Sequence, residues 1–386
     1  MDTLRYRSID SSALIPPLLI SLVVITLAAF AAFNMEHQGH HITGMSNQVI
    51  WGMPHVLAIF LIVSASGALN VASIASVFNK TFYKPLARLS AVLAVALLIG
   101  GLTVILLDLG RPDRLIVAMT YYNFSSIFAW NIILYSGFAG LSLIYLWTML
   151  DWQMDAYKRM AGIAAFTWRL LLTAGTGSIF GVLVAREAYH IAIMGPMFIV
   201  LSLGYGTAFY LLVISLFLPQ GELEQISQRL SRLLVILLLC GLGFSLIYHA
   251  ANYLWLGAEN FQGFLLAGDG IYPWLIWGMH LLVGCLLPLT MLKMGKTTPA
   301  KKTIVLACLL IITGGIGQFY ALIIGGQVYP MPLLEGYSAQ SSFADGVVAS
   351  YTPSLWEIML GIGGFAVATL ITLFSLRIFR LLPASK

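Results

Sequence analysis

The sequence predicts an all-α integral membrane protein with ten transmembrane helices. Hydrophobic residues make up 60% of the 386 positions and charged residues only 9%, and the mean hydropathy is +0.92. In water-soluble globular proteins about a quarter of the residues are charged. Several apolar runs exceed the roughly 20 residues that a helix needs to cross the hydrocarbon of a bilayer, and the alternating pattern of a membrane β-barrel is absent.

The ten predicted helices follow one another along the whole chain. The first also resembles a signal peptide, because Arg5 and Arg7 precede it and the segment 29–31 resembles a cleavage site. Its apolar run is longer than that of a usual signal peptide, so we expect a helix that is retained. The predicted helices cover 14–33, 50–78, 86–109, 124–150, 160–185, 192–218, 229–256, 271–294, 303–325 and 354–381.

The distribution of lysine and arginine predicts the orientation. If successive helices alternate in direction, all but four of the 20 basic residues lie on one side, together with both termini. Arg111, Arg114 and Arg186 fall on the other side, and Arg169 lies within the fifth helix. Basic residues concentrate in cytoplasmic loops, so both termini are predicted to be cytoplasmic and the protein to lie in the cytoplasmic (inner) membrane. These loops face anionic lipid and explain the pI near 9.0 without a nucleic-acid partner.

Two pairs of similar segments predict an internal repeat. The segment RLSAVLAVALLIGGL from Arg88 resembles RLSRLLVILLLCGLG from Arg229, and TAGTGSIFG from Thr173 resembles TGGIGQFYA from Thr313. Both pairs have an offset of about 140 residues. An even number of helices separates the copies, so the two halves have the same orientation in the membrane.

This repeat divides a single membrane domain, 1–386, into two four-helix bundles and two peripheral helices. By the alignment, Asp108 in the first bundle corresponds to His249 in the second. The predicted parts are a peripheral helix with its outer loop at 1–49, the first bundle at 50–190, the second bundle at 191–330, and an outer loop with the tenth helix at 331–386.

The sequence has no residue spacing for a bound metal centre. Cys240, Cys285 and Cys308 each lie in a predicted helix without a second cysteine nearby, so neither an iron–sulfur cluster nor a zinc site is predicted. Phosphate-binding, dinucleotide-binding and nucleophile-elbow motifs are absent as well. If the protein takes part in electron transfer, a partner must hold the metal centres.

Ionisable residues gather at the outer ends of the first bundle. His55 opens the second helix, Asp108 closes the third within LLDLGRPDRL, and Glu187 and Tyr189 close the fifth. An ionisable group within hydrocarbon costs several kcal/mol, and helix ends converge in a bundle, so we expect these side chains to line one pocket. A quinol enters such a pocket from the bilayer, and a histidine, tyrosine or carboxylate takes the protons that it releases on oxidation.

Structural roles are the alternatives for each of these residues. His55 suits a capping position at the membrane interface, and Asp108 suits a salt bridge with Arg111 that closes the helix. Gly110 and Pro112 would then end this helix. Glu187, together with neighbouring basic residues, suits contacts with lipid headgroups or a partner protein.

Several segments resemble the NrfD/PsrC family of quinone-interacting membrane subunits. They are LLDLGRPDRL at 106–115, VAREAYHIAIMGPMFI at 184–199 and the tail YTPSLWEIMLGIGG at 351–364. The number of helices and this tail resemble the HybB/DsrP branch of the family. The sequence of residues 110–132 is most similar to DsrP-type subunits, which belong to sulfur metabolism. The resemblance implies a subunit that is not catalytic alone, has no redox cofactor and binds menaquinone or ubiquinone. It also implies a complex with a periplasmic ferredoxin-like iron–sulfur subunit and with other membrane and soluble subunits, among them a cytochrome.

The resemblance also suggests roles for the site residues. Family quinone sites use a histidine on the first helix of the first bundle, a role that His55 fits, so we expect His55 and Tyr189 to bind the quinone oxygens. Asp108 and Glu187 would accept or relay protons, and Arg111 would hold Asp108 ionised. Two further tyrosines are alternatives to Tyr189, namely Tyr121 and Tyr122.

Two other groups of residues each have a functional and a structural interpretation. His249 and His280, each eight or nine residues inside the outer end of a predicted helix, permit two axial ligands of a haem b, but helical histidines more often bond to neighbours. Arg169 suits a side chain that reaches the cytoplasmic interface. The alternative is a proton path, formed with Ser66, Asn70, Thr173 and Thr176.

Two other function classes remain open from the sequence. A secondary transporter also shows parallel repeats, but its charged residues lie near the membrane midplane. A structural anchor would hold soluble redox subunits at the membrane without binding quinone. The outer loop at 326–353 is long and rich in Pro and Gly, which suits a docking surface for a partner.

Overall fold

The computed structural model describes residues 6–7, 9, 11–184, 186–189, 191–254, 257–293, 299–330 and 347–383. Within these residues, ten helices are long and apolar enough to cross a membrane, which confirms the predicted all-α polytopic fold. Most of the predicted docking loop, 331–346, lies outside the described residues. The helices are α1 Ser11–Gln38, α2 Met53–Ser76, α3 Ala87–Leu107, α4 Ile127–Leu150, α5 Lys158–Gly181, α6 Met194–Phe217, α7 Gln220–Leu254, α8 Ile271–Lys293, α9 Lys301–Val328 and α10 Leu355–Ile378.

The helices α2 to α5 pack in the same pairwise pattern as α6 to α9. In each set the first helix packs on the second and the third on the fourth. The second helix also contacts the third, and the first contacts the fourth. Where α2 meets α6, Gly67 and Gly206 approach so closely that a Cβ atom on Gly206 would lie 2.0 Å from the Gly67 carbonyl carbon. Small residues permit such close packing inside membranes. The bundle boundaries at 50–190 and 191–330 stay predictions.

The helices α1 and α10 lie outside the two sets. The helix α10 packs on α2 and α3, and α1 packs on α10. Short strands at Tyr6–Arg7 and Leu382–Pro383 pair antiparallel, which brings both ends of the described chain to one side of the molecule. On the opposite side, short helices at Leu115–Thr120 and Glu259–Ala267 follow α3 and α7.

Candidate functional site

A cavity of about 360 Å³ lies at the end of the first bundle, beneath the short helix Leu115–Thr120. Its walls are almost entirely apolar. The rim residues Leu109 and Phe128 are also exposed on the outer surface of the bundle, so the cavity opens sideways toward the surface that contacts lipid. Its aromatic and polar walls include Trp51, Phe128, Phe180, His55, Asn131 and Tyr135.

His55 and Asp108, which were each predicted to line the pocket, contact one another at this cavity. His55 Nδ1 lies 2.8 Å from Asp108 Oδ2, and the Asp108 side chain is almost completely buried. Because an ionised carboxylate only accepts hydrogen bonds, Nδ1 is the donor, and Nε2 of a neutral His55 remains an acceptor for a ligand. His55 itself lines the cavity, and its ring stacks on Trp51 at 6.4 Å between centroids.

A second histidine reaches Asp108 from outside the membrane-spanning segments. His40 Nε2 lies 3.7 Å from Asp108 Oδ1 and 3.2 Å from the Asp108 backbone oxygen, and the His40 side chain is one-third exposed. The contact with Asp108 raises the pKa of His40, although partial burial opposes the change. Burial alone would raise the pKa of Asp108, but the contacts with His40 and His55 outweigh it and hold this pKa below the ordinary value.

The turn after α3 makes this contact possible. Gly110 has a φ of +68°, a conformation that glycine adopts without steric cost. A Cβ atom added there would lie 3.1 Å from His40 Cε1, so the turn also leaves room for the His40 ring. His40 was not among the residues predicted from sequence, and the signal that marks it is the group of three histidines, His37, His40 and His41, at the end of the first helix.

Arg111 does not hold Asp108 ionised, contrary to the expectation from sequence. Its guanidinium pairs with Asp113, with Nε 3.2 Å from Oδ1, and both side chains are largely exposed. The positive φ of Gly110 turns the chain away, so Arg111 points outward while two histidines take its expected place beside Asp108.

Tyr189 and Glu187 also lie apart from the cavity. The Tyr189 ring packs behind Phe180 and its hydroxyl donates to the Ile323 carbonyl at 2.9 Å, so it holds α9 and is engaged already. Burial raises the pKa of Glu187, whose charge acts on neighbouring Tyr329. The side chains that replace them in the wall are Asn131 and Tyr135, one turn apart on α4. Their signal in the sequence is two polar side chains within an apolar run.

The loop before α2 is fixed by α9 and by the residues after α5. The Gln327 side chain accepts from the backbone N–H groups of Ile50 and Trp51 and donates to the Trp51 oxygen. Arg186 donates to the backbone oxygens of Gln48, at 2.9 Å, and Gln327, at 2.7 Å. The second bundle therefore positions Trp51, which is part of the cavity wall.

Arg169 lies deep in the bundle rather than at an interface. It is 2% exposed and lies eleven residues after the start of α5 at Lys158, or about 16 Å along the helix. Its Nη1 donates to the Ser66 oxygen at 3.1 Å, and Ser66 Oγ contacts Thr173 Oγ1 at 2.9 Å. Arg169 therefore does not reach the membrane interface as the simpler interpretation proposed. Asn70 lies apart from this cluster and donates to Thr207 on α6.

A second cavity, of about 350 Å³, is lined by both His249 and His280. His249 lies five residues before Leu254, the last described residue of α7, and His280 lies nine residues after the start of α8. Their role as axial ligands of a haem b stays a prediction. His249 Nδ1 contacts Gln262 Oε1 at 2.8 Å. Among the described residues, no cluster of three metal-ligating side chains occurs.

Comparisons with known proteins agree with this arrangement of a membrane subunit. Residues 41–331 match the family described as polysulphide reductase, NrfD. The chain is 32% identical to the Hdr-like menaquinol oxidoreductase integral membrane subunit of Archaeoglobus fulgidus, over 95% of this chain and 93% of that protein. It is 26% identical to a putative dimethyl sulfoxide reductase membrane subunit of Halobacterium salinarum, over 94% and 90%. It is 23% identical to a selenate reductase subunit of Mesobacillus selenatarsenatis, over 90% and 88%. The chain therefore belongs to the NrfD polysulphide reductase family of membrane subunits.

Proposed function

We propose that this protein is the quinol-binding membrane subunit of an oxidoreductase complex, with the quinol in the cavity beside His55. The observation that carries the proposal is the continuous path from an apolar, lipid-facing cavity through His55 and buried Asp108 to partly exposed His40. The relatives are named as subunits of menaquinol oxidoreductase, dimethyl sulfoxide reductase and selenate reductase, which supports the same role.

The cavity residues match the chemistry of a quinol, which supplies two electrons and two protons when it is oxidised. The aromatic walls at Trp51, Phe128 and Phe180 accept a flat ring. His55 Nε2 accepts a hydroxyl proton, and the Asp108 carboxylate stabilises the resulting imidazolium at 2.8 Å. The proton then passes from His55 Nδ1 to Asp108, whose Oδ1 has no hydrogen-bond partner in the described part of the chain and lies 3.7 Å from His40 Nε2. His40 takes this proton on Nε2 in the tautomer that carries its own proton on Nδ1, and releases a proton to the surface.

The proposal also covers the quinone type, the orientation in the membrane, the partner and the proton path. The menaquinol named in the Archaeoglobus fulgidus relative favours menaquinone over ubiquinone. The excess of basic residues beside the paired termini favours a cytoplasmic location for both ends, in the inner membrane. The cavity then faces the periplasm, where an iron–sulfur partner would dock beside exposed Arg111 and Asp113. A DsrP-like place in sulfur metabolism rests on the sequence resemblance, and the cluster of Arg169, Ser66 and Thr173 is the proposed inner segment of a proton path.

Blocking the cavity tests the proposal directly. Ala118→Trp places a large side chain in the wall, and we expect the apparent KM for quinol to rise at least tenfold in the assembled complex because the ring loses its space. Val117→Trp is the matched control, since Val117 is exposed on the same short helix and does not line the cavity. Equal quinol kinetics in the two variants would favour a structural anchor that binds no quinone in this cavity.

The pH dependence of turnover tests the role of His40. Because the pKa of His40 is raised, its protonated form and the attraction of that form to Asp108 are fully present below the ordinary value of 6.5. Both are lost as the pH rises through the raised pKa. A proton acceptor must be deprotonated, so we expect wild-type turnover to rise across that range. In His40→Asn this rise should disappear from the pH profile of kcat, whereas the neighbouring variant His41→Asn should keep it. An unchanged profile in His40→Asn would remove His40 from the path.

A further inference from the structure

The second bundle holds a cavity that the proposed function does not use. It lies between α7, α8 and the short helix Glu259–Ala267. The first cavity likewise contacts α3, α4 and the short helix Leu115–Thr120, and it is lined in addition by residues of α2, α5 and α9. Ile105 and Leu109 line the first cavity, and Leu246 and Ala250 line the second at the same offset of 141 residues that relates Arg88 to Arg229.

Two imidazoles supply the polar groups of this second cavity. His280 is 5% exposed, and its Nε2 has no hydrogen-bond partner among the described residues. His249 Nδ1 contacts Gln262 Oε1 at 2.8 Å, and since an amide oxygen only accepts, the proton lies on Nδ1 and Nε2 remains an acceptor. A buried polar atom without a partner costs free energy, which a ligand with a hydroxyl or carbonyl group would recover.

The entrance and the size of the cavity restrict the ligand further. Leu246, Tyr253 and Trp277 line the cavity and are exposed on the outer surface of the bundle, so a ligand enters from the acyl region of the bilayer. The volume of about 350 Å³ nearly equals that of the first cavity and suits a small aromatic head group. The polar groups in its walls are two imidazoles, a hydroxyl, a phenol and an indole, and none of the lining residues is Asp, Glu, Lys or Arg, which disfavours a charged phospholipid headgroup.

We propose that this cavity is a second binding site for an isoprenoid quinone in its reduced, quinol form, whose hydroxyl groups donate to His249 Nε2 and hydrogen-bond with His280 Nε2. The site is separate from the one beside His55, so either one can exist without the other. Binding here uses the neutral histidines as hydrogen-bond partners, and the isoprenoid tail leaves past Leu246 and Trp277 into the bilayer.

Photolabelling of the full chain in lipid nanodiscs tests this proposal. The probe is the quinol form of an azido derivative of a short-chain naphthoquinone, and the labelled peptides are mapped by mass spectrometry. We expect two labelled regions in the wild type, one around α2 to α4 and one around α7 and α8. His280→Gln, and separately Leu246→Trp at the exposed mouth of the cavity, should lower labelling of the second region at least tenfold and leave the first region unchanged.

The controls separate this proposal from the proposed function. His55→Ala should lower labelling of the first region only, and His37→Ala on the exposed face of α1 should change neither. Labelling confined to the first region overturns the second site and leaves the proposed function intact, whereas labelling confined to the second region does the reverse. A b-type absorbance band in the purified wild type that is lost in His280→Gln would also overturn the proposal, because haem would then occupy the cavity.

Discussion

Asp108→Asn should lower the kcat of quinol oxidation at least 100-fold while the complex still assembles. Asn has nearly the same shape, but it offers His55 a neutral amide in place of a carboxylate at 2.8 Å. The imidazolium that forms when His55 accepts a proton then loses its counter-charge, and the route to His40 is broken. A positioned acid or base typically contributes 10² to 10⁴ in rate. The measurement is steady-state oxidation of a menaquinol analogue by the intact complex.

Asp113→Asn is the matched control for this prediction. Asp113 lies five residues further along the same turn, is largely exposed, and pairs with Arg111 rather than with a histidine. We expect its kcat to stay within a factor of two of wild type. Normal turnover in Asp108→Asn would remove the carboxylate from the mechanism, and equal losses in both variants would indicate that the turn acts through docking of a partner.

Glu357→Ala should lower the free energy of unfolding by about 3 kcal/mol, because a buried carboxylate that accepts several hydrogen bonds is removed. Glu357 is completely buried in the first turn of α10, where it forms a capping box with Ser354. Its carboxylate accepts from the Gly44 N–H at 2.7 Å, the Ser354 N–H at 2.8 Å and the Tyr351 hydroxyl at 2.6 Å. The measurement is SDS-induced unfolding in mixed micelles.

The hydrogen bonds of Glu357 also reach the helix that carries the quinol site. The Tyr351 hydroxyl accepts from the Met53 N–H at 2.7 Å, at the start of the helix that carries His55, so Glu357→Ala should weaken quinone binding as well. Glu357→Gln keeps one acceptor oxygen and should lose about half as much stability. Glu36→Ala, on an exposed face of α1, is the control. If Glu357→Ala unfolds like this control, the network does not stabilise the fold.

Long apolar runs were enough to predict the helices, whereas most partners of the site residues depended on distant contacts. His55 and Asp108 were found because an ionisable residue at the end of an apolar helix is visible in the sequence itself. His40 was missed because it reaches Asp108 across 68 positions of chain. Arg111 was misjudged because the turn at Gly110 decides where its side chain points.

The role of Tyr189 also depended on tertiary contacts that the sequence does not show. Its place near the end of a helix suggested a ligand contact, but tertiary packing engages its hydroxyl with Ile323. Asn131 and Tyr135, in contrast, are visible in the sequence only as polar side chains within an apolar run, and the packing of α4 against its neighbours makes them part of the cavity wall.

Quinone binding reported by Trp51 tests the central claim most directly. Trp51 lines the cavity and stacks on His55, so quenching of its fluorescence follows a menaquinol analogue as it binds beside that histidine. Trp51→Phe identifies the part of the signal that belongs to this site, and His41→Ala is the control for the loss of a histidine. We expect saturable binding that His55→Ala weakens at least tenfold, or about 1.4 kcal/mol. Saturable quenching of Trp51 with the same Kd in His55→Ala would contradict the assignment of His55, and no quenching in the folded protein would contradict the site itself.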